Sequence, residues 1–325
     1  MSRDPALIKI RNLSLLGQHG AFGKFIKDYA ENEKLLVTVS DQATLIGAQG
    51  FAKQYPNKFI NFGISEQNAI SVCGALAHEG FIPFLGFQAC FASLRCADQI
   101  KVVMSYMKLP VKLLGLSSGL SVSDLGPTHY ALQDLALFQS LPNIVILSPC
   151  DALEAYKCYE AALNTNQPFY IRVNGNLRSP MIYKQDYDFE VGKAVTIKDD
   201  GDDITIIATG TMVEQAIKAT PIIEGTLGLK VRILNFHTIK PLDVEAIKSC
   251  FDSKLIVTIE EHSVIGGLGS AVNSAIALEK NKPPVLNLGC GDYFESAGNY
   301  ETVLDKYGLS FDKIASKIID TVKDM

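Results

Sequence analysis

Short apolar runs recur along this chain, separated by longer stretches in which apolar positions follow a helical period. KLLVTVS (34–40), VKLLGLS (111–117), NIVILSP (143–149) and FYIRV (169–173) have strand length and little polar interruption. Helical patterning occupies 66–79, 92–107 and 151–163 between them. The last stretch follows SPCD, with Asp151 placed as an N-cap and Glu154 three positions on, close to a capping box. Strands that are apolar throughout belong in a parallel sheet with helices over both faces. The expected fold class is therefore α/β.

The texture changes over 174–200, which is polar, turn-rich and poor in helical period, and a linker is expected there. A second alternating set follows: ITIIATG (204–210), KVRILNF (230–236), KLIVTIE (254–260) and PVLNLG (284–289). Two domains are thus expected, 1–185 and 186–325, each a mainly parallel sheet flanked by helices. The length of 325 residues suits two domains of ordinary size. No internal repeat or low-complexity tract interrupts the pattern.

Composition narrows the class. Apolar residues make up 47% and charged residues 20%, ordinary for a globular protein. A net charge of −5 without a lysine or arginine cluster argues against a nucleic-acid footprint. Seven cysteines with no Cys-x-x-Cys pair indicate reduced thiols rather than a disulfide framework or a zinc site. The opening MSRDPALIKIRNLSLLGQ lacks the pattern of a signal peptide, and no apolar run approaches the roughly 18 residues that span a bilayer. A soluble, cytoplasmic chain is expected.

Candidate chemistry is sparse. GGLGSAV (266–272) follows a strand and opens a helical stretch, so it could cradle a phosphate. The dinucleotide fingerprint is incomplete, and glycines that permit close packing are the better reading. Of five histidines (His19, His78, His129, His237, His262), His129 stands out after the Gly-Pro turn of SDLGPTHYALQD. A histidine at such a turn faces the carboxyl edge of the sheet, where open α/β folds bind ligands. Glu66, in FGISEQNAISVCGALA, enters the first turn of a strongly apolar helix. The helix dipole favours a glutamate there, yet strand-to-helix junctions also hold carboxylates that move protons. Local physics leaves both readings open.

In order, FGISEQNAISVCGALA, FQACFASLRCADQIK, LGPTHYALQDLALFQSLPNIVILSPCDALE, GDDITIIATGTMVEQAIKA, VRILNFHTIKPLD, IEEHSVIGGLGSAV and ESAGNYETVLDKYGLS resemble the C-terminal half of transketolase. The resemblance runs nearly end to end and implies thiamine diphosphate chemistry. It maps Glu66 onto the glutamate that hydrogen-bonds the aminopyrimidine ring nitrogen and drives its imino tautomer. It maps Phe91 onto an aromatic packed against the pyrimidine, and His129 onto a histidine at the substrate oxygen near the reacting carbon. Asp41, Ile64 and Phe87 complete the implied cofactor set.

Whole transketolases also carry an N-terminal domain that holds the diphosphate through a metal, using a Gly-Asp-Gly motif. Here only GDD (201–203) and GDY (291–293) occur, both in the second expected domain. The resemblance therefore implies a partner subunit supplying the diphosphate and Mg2+ site, paired as α2β2, with no metal ligands in this chain. The substrate end departs from the family. The acid before GPTH is replaced by Leu125, with Asp124 one place earlier, and a phosphate-binding histidine aligns with Ser117. A family arginine aligns with His19 and a phosphate-binding serine with Leu45, while Arg172 matches a phosphate-end arginine. Each lost donor removes a charge-assisted bond of roughly 1.5–3 kcal/mol, so the usual pentose phosphates are not the expected best substrates. A nucleotide-linked or otherwise modified sugar is one alternative. A second reading keeps the cofactor but decarboxylates a 2-oxoacid, as deoxyxylulose-phosphate synthases and the β subunits of 2-oxoacid dehydrogenases do. The GIS-EQ and DQ (98–99) pairs lean that way. A third reading is a non-catalytic paralogue.

Overall fold

The computed structural model describes residues 5–174 and 180–325, with side chains from residue 10 onward. Residues 175–179 of the expected linker lie outside the described residues. Six strands form the parallel body of the first sheet: β1 (Leu35–Val39), β2 (Phe59–Asn61), β3 (Ile82–Gln88), β4 (Lys112–Leu116), β5 (Val145–Leu147) and β6 (Phe169–Arg172). The second sheet takes β7 (Val195–Asp199), β8 (Ile204–Ala208), β9 (Val231–Asn235), β11 (Leu255–Ser263) and β12 (Val285–Cys290). Four of these are parallel, and β7 runs antiparallel to β9 at the edge. Strand β10 (Thr238–Lys240) belongs by sequence with the second set but pairs antiparallel with β5 in the first sheet. The second half of the chain therefore lends a strand to the first sheet.

Helices α1 (Pro5–Asp28), α2 (Gln49–Gln54), α3 (Glu66–His78), α4 (Ala97–Ile100), α5 (Asp134–Ser140) and α6 (Ala152–Leu163) surround the first sheet. Helices α7 (Met212–Leu227), α8 (Val244–Lys248), α9 (Leu268–Ala275), α10 (Tyr300–Lys306) and α11 (Phe311–Asp324) follow in the second half. The architecture is the expected one: two mostly parallel sheets flanked by helices.

Local rules account for much of it. Strands β1, β4 and β8 are buried along their whole length, which is why their sequences are mostly apolar, with only Thr38, Lys112 and Thr205 polar among them. Asp151 caps α6, its carboxylate accepting from the Glu154 N–H at 2.8 Å. Glu154 reaches back one residue further than in a standard capping box and accepts from the Cys150 N–H at 2.7 Å. The helical stretch read at 92–107 is present over 91–106, wound with wide turns on either side of α4. Such turns recur at functional sites.

Three elements escape the sequence pattern for physical reasons. Strand β3 carries Pro83 and Gly86 in its interior, and β10 is three residues long. Helix α1 is broken at Gly17 (φ 67°, ψ 179°), so no single apolar stripe marks it. Its second half nevertheless anchors one face of the sheet: the Phe25 ring lies 5.2 Å from Phe84, and Phe22 meets Tyr159 of α6 edge-on at 5.2 Å. On the other face, Ala69, Ile70 and Cys73 of α3 pack with Leu85, Phe87 and Leu113.

The junction between the halves is polar and buried. Arg172, at the end of β6, donates through Nε to Asp134 Oδ2 at 2.8 Å, and through Nη2 to the Ala131 and Glu261 carbonyls at 3.0 and 2.7 Å. The Tyr170 hydroxyl donates to the same Asp134 oxygen at 2.7 Å. On β11, Glu261 Oε1 accepts from the Leu120 N–H at 2.6 Å, tying the second sheet to the loop after β4.

Candidate functional site

The strand-to-helix junction that carries Glu66 is built by two small devices. Asn61, the last residue of β2, accepts through Oδ1 from the Asp41 N–H at 3.1 Å and the Gly63 N–H at 3.0 Å. This binds the carboxyl ends of β1 and β2 together. Gly63 then takes φ +66°, a conformation that an L side chain rarely adopts, and the chain turns into α3. Asp41 (φ 60°) and Ser117 (φ 52°) are left-handed without being glycine, at the ends of β1 and β4 on either side of β3. Backbone strain of this kind gathers at functional sites.

Glu66 is 5% exposed, and its carboxylate accepts from Arg95 Nη1 at 2.7 Å. The Arg95 guanidinium lies over the Phe91 ring, 3.9 Å from its centroid. Phe91 also meets the His129 imidazole nearly edge-on, with centroids 5.5 Å apart. His129 Nδ1 stands 3.0 Å from the Thr128 hydroxyl. Glu66, Arg95, Phe91 and His129 thus form one row at the carboxyl edge of the parallel strands. Beside it opens a cavity of about 340 Å³ lined by Phe91, Arg95, Thr128, Gln133 and Phe294. Phe294 comes from the second half of the chain. Its loop is fastened to the one bearing His129, with the Gly298 N–H donating to the Ser123 carbonyl at 3.1 Å and the Tyr130 hydroxyl to the Ser296 carbonyl at 3.3 Å.

The remaining residues singled out in the sequence scatter. Asp41 is exposed at the end of β1, Ile64 is 78% exposed, and Leu125 is half exposed. Phe87 is buried in the core cluster against which Phe91 packs, and Leu45 packs partly buried against the other face. Ser117 is buried with its hydroxyl lacking a hydrogen-bond partner. His19 lies buried in α1, and loss of hydration pushes its pKa down to about 4. Arg172 turns Nε and Nη2 onto protein acceptors at the junction between the halves. The glycine-rich segment holds no open phosphate cradle. The Glu260 carboxylate accepts from the Leu268 and Gly269 N–H groups at 2.6 and 2.8 Å, filling the helix N-terminus from within. Its burial raises that carboxyl to about 7.

Sequence reasoning missed Asn61, Arg95 and Phe294. Only Arg95 left a trace, four positions after Phe91 on a helical stretch, where side chains meet. Among the described residues, no cluster of three histidine, cysteine or acidic side chains could hold a metal. No described helix is long and apolar enough to cross a membrane.

Fold and site together define a two-domain α/β chain with Glu66, Phe91 and His129 gathered at the carboxyl ends of a parallel sheet. Residues 20–178 match the transketolase pyrimidine binding domain and residues 192–314 the transketolase C-terminal domain. The chain belongs to the transketolase family, thiamine diphosphate-dependent transferases, and comprises those two domains. One of the subunits of the apulose-4-phosphate transketolase of Phocaeicola vulgatus is 36% identical over 93% of this chain and 96% of its own. The 6-deoxy-6-sulfo-D-fructose transketolase subunit SqwH of a Clostridium species (strain MSTE9) is 34% identical over 88% of each. A solved structure described as a split gene transketolase, inactive beta4 tetramer, superposes with a TM-score of 0.82 at 33% identity, covering 93% of this chain and 96% of that one.

Proposed function

We propose that this chain is the pyrimidine-binding subunit of a two-component transketolase that transfers a two-carbon ketol unit between sugar-like carbonyl compounds. The observation that carries the reading is the slot between Glu66 and Phe91. A flat, N–H-bearing group, here the Arg95 guanidinium, already fits there, donating to the carboxylate and stacked on the ring. An aminopyrimidine has the same flat shape, and its ring nitrogen donates to the carboxylate in the same way once it carries the proton. Thiamine diphosphate, when bound, supplies the carbanion chemistry.

The chain's own residues divide the remaining work. Glu66 holds the proton at the pyrimidine ring nitrogen, Phe91 stacks on the ring, and Asp41 and Ile64 border it. Phe87 supports this wall from the core. His129, steadied by Thr128 and Phe91, presents an imidazole nitrogen to the substrate oxygen. Ser117 and His19 lie deeper, and Leu125 and Arg172 stand where the family binds the far end of its substrate.

A diphosphate needs a divalent cation in a cage of oxygens. In this reading an N-terminal transketolase-like subunit provides Mg2+ and that cage, and the two associate as α2β2 in the cytoplasm. The division near residue 185 belongs to the same reading. A partner is supported by the names of the relatives, two of them transketolase subunits and one a split-gene enzyme. Two relatives are named for apulose 4-phosphate and a sulfonated fructose, which supports a modified sugar over the usual pentose phosphates.

The test is a reconstituted complex carrying Glu66→Gln. Turnover is expected to fall by about 10²–10⁴-fold, the range for a positioned proton-transfer group, with assembly unchanged. Undiminished turnover would overturn the assignment of Glu66. Release of carbon dioxide from pyruvate by the unsubstituted complex would move it to the decarboxylating class.

A further inference from the structure

Among the described residues lining the cavity beside Phe91, Arg95 alone carries a charge. Its contacts are unequal. The Arg95 side chain is 42% exposed, whereas the Glu66 side chain it pairs with is 7% exposed. Its backbone is fixed, since the Gln67 amide donates to the Arg95 carbonyl at 3.0 Å and the residue closes a wide helical turn. The guanidinium is therefore a partly exposed head on a fixed base, and solvent lies open to it.

A surface ion pair would be the ordinary reading of such a contact, and exposed pairs contribute little. Two observations separate this one from that class. The acceptor is a nearly buried carboxylate at the site of proton work, and the guanidinium simultaneously covers the aromatic face at 3.9 Å. A planar donor on a carboxylate and over a ring is what the aminopyrimidine must also become.

We propose that Arg95 is a latch on the cofactor site: it holds Glu66 and the Phe91 face together, and the aminopyrimidine of thiamine diphosphate enters by displacing it. The inference rests on the reading of Glu66 and Phe91 given above. Both groups cannot occupy one slot, so binding exchanges one charge-assisted bond and one stacking contact for another pair. The exchange keeps the Glu66 carboxylate partnered at every stage, which matters because an unpaired buried charge is strongly unfavourable. It also lowers the apparent affinity for the cofactor, because part of the binding energy goes into opening the latch. Arg95 acts through Glu66 and is a positioning residue.

The experiment uses calorimetry to measure thiamine diphosphate binding to the complex reconstituted with its partner, in the presence of Mg2+ and without substrate. Arg95→Met removes the competing donor and is expected to tighten binding about tenfold, equivalent to about 1.4 kcal/mol. Arg95→Lys keeps the charge but not the flat fork, and falls between the two. It also serves if the methionine variant does not assemble. A variant that binds the cofactor no more tightly, or more weakly, overturns the latch. The Glu66→Gln turnover assay keeps the two readings apart. If that variant is inactive and Arg95→Met leaves affinity unchanged, only the latch fails. If Glu66→Gln turns over normally, the assignment of the site itself fails.

Discussion

Replacing Arg172 by methionine separates a structural arginine from a phosphate-binding one. The side chain is 5% exposed and donates one bond to the Asp134 carboxylate and two to backbone carbonyls, at Ala131 and Glu261. Asp134 is fully buried; its Oδ1 has no hydrogen-bond partner, and His262 Nε2 stands 3.8 Å away. Without the guanidinium, Asp134 retains only the Tyr170 hydroxyl among the donors at its Oδ2. Stripping the partner from a buried carboxylate destabilises by about 3–5 kcal/mol. The two carbonyls left bare add to this, so the upper half of that range is expected for Arg172→Met. Urea unfolding followed by circular dichroism reads the change directly. Adding Asp134→Asn removes the stranded charge while leaving an acceptor for Tyr170, and should restore at least half of the loss. The reasoning fails if Arg172→Met unfolds within about 1 kcal/mol of the unsubstituted chain. A raised KM for a phosphorylated substrate in that stable variant would return Arg172 to the substrate end, as its alignment implies.

Two further outcomes follow from buried groups. Burial lowers His19 from 6.5 to about 4, so the unfolded chain takes up this proton first as pH falls. Its contribution is whole above pH 6.5 and drains away towards pH 4, about 3 kcal/mol at about 1.4 kcal/mol per pH unit. Unfolding titrations should show the unsubstituted chain losing that much more than His19→Gln across the window; parallel curves would contradict it. At the start of α9, a Cβ on Gly267 would press into the Glu260 carboxylate that caps the helix. Gly267→Ala should therefore destabilise by about 1–3 kcal/mol, seen as a lowered urea midpoint, while Gly225→Ala, where a Cβ meets nothing within 4 Å, should not.

The alternation of strand and helix, the cap at Asp151 and the positions of β1, β4, β6, β8, β9 and β11 were legible in the chain itself. Parallel strands buried on both faces must be apolar throughout, and a helix start must satisfy its own N–H groups, so both leave local marks. The junction at Glu66 was legible for the same reason, as an apolar run, a glycine and an acid opening a helix. The motifs around Glu66, Phe91 and His129 also carried the family. What they could not carry was pairing. Phe91 and His129 meet across the sheet edge, Arg95 reaches back to Glu66, and Phe294 arrives from the other half of the chain. The same holds for β10, whose partner is set by where the chain crosses between sheets, and for Arg172, whose alignment points to a phosphate while Asp134 and Glu261 claim it. Periodicity and capping depend on neighbours within a turn. Burial and charge pairing depend on residues that only the folded chain brings within reach, and the tertiary structure alone decides them.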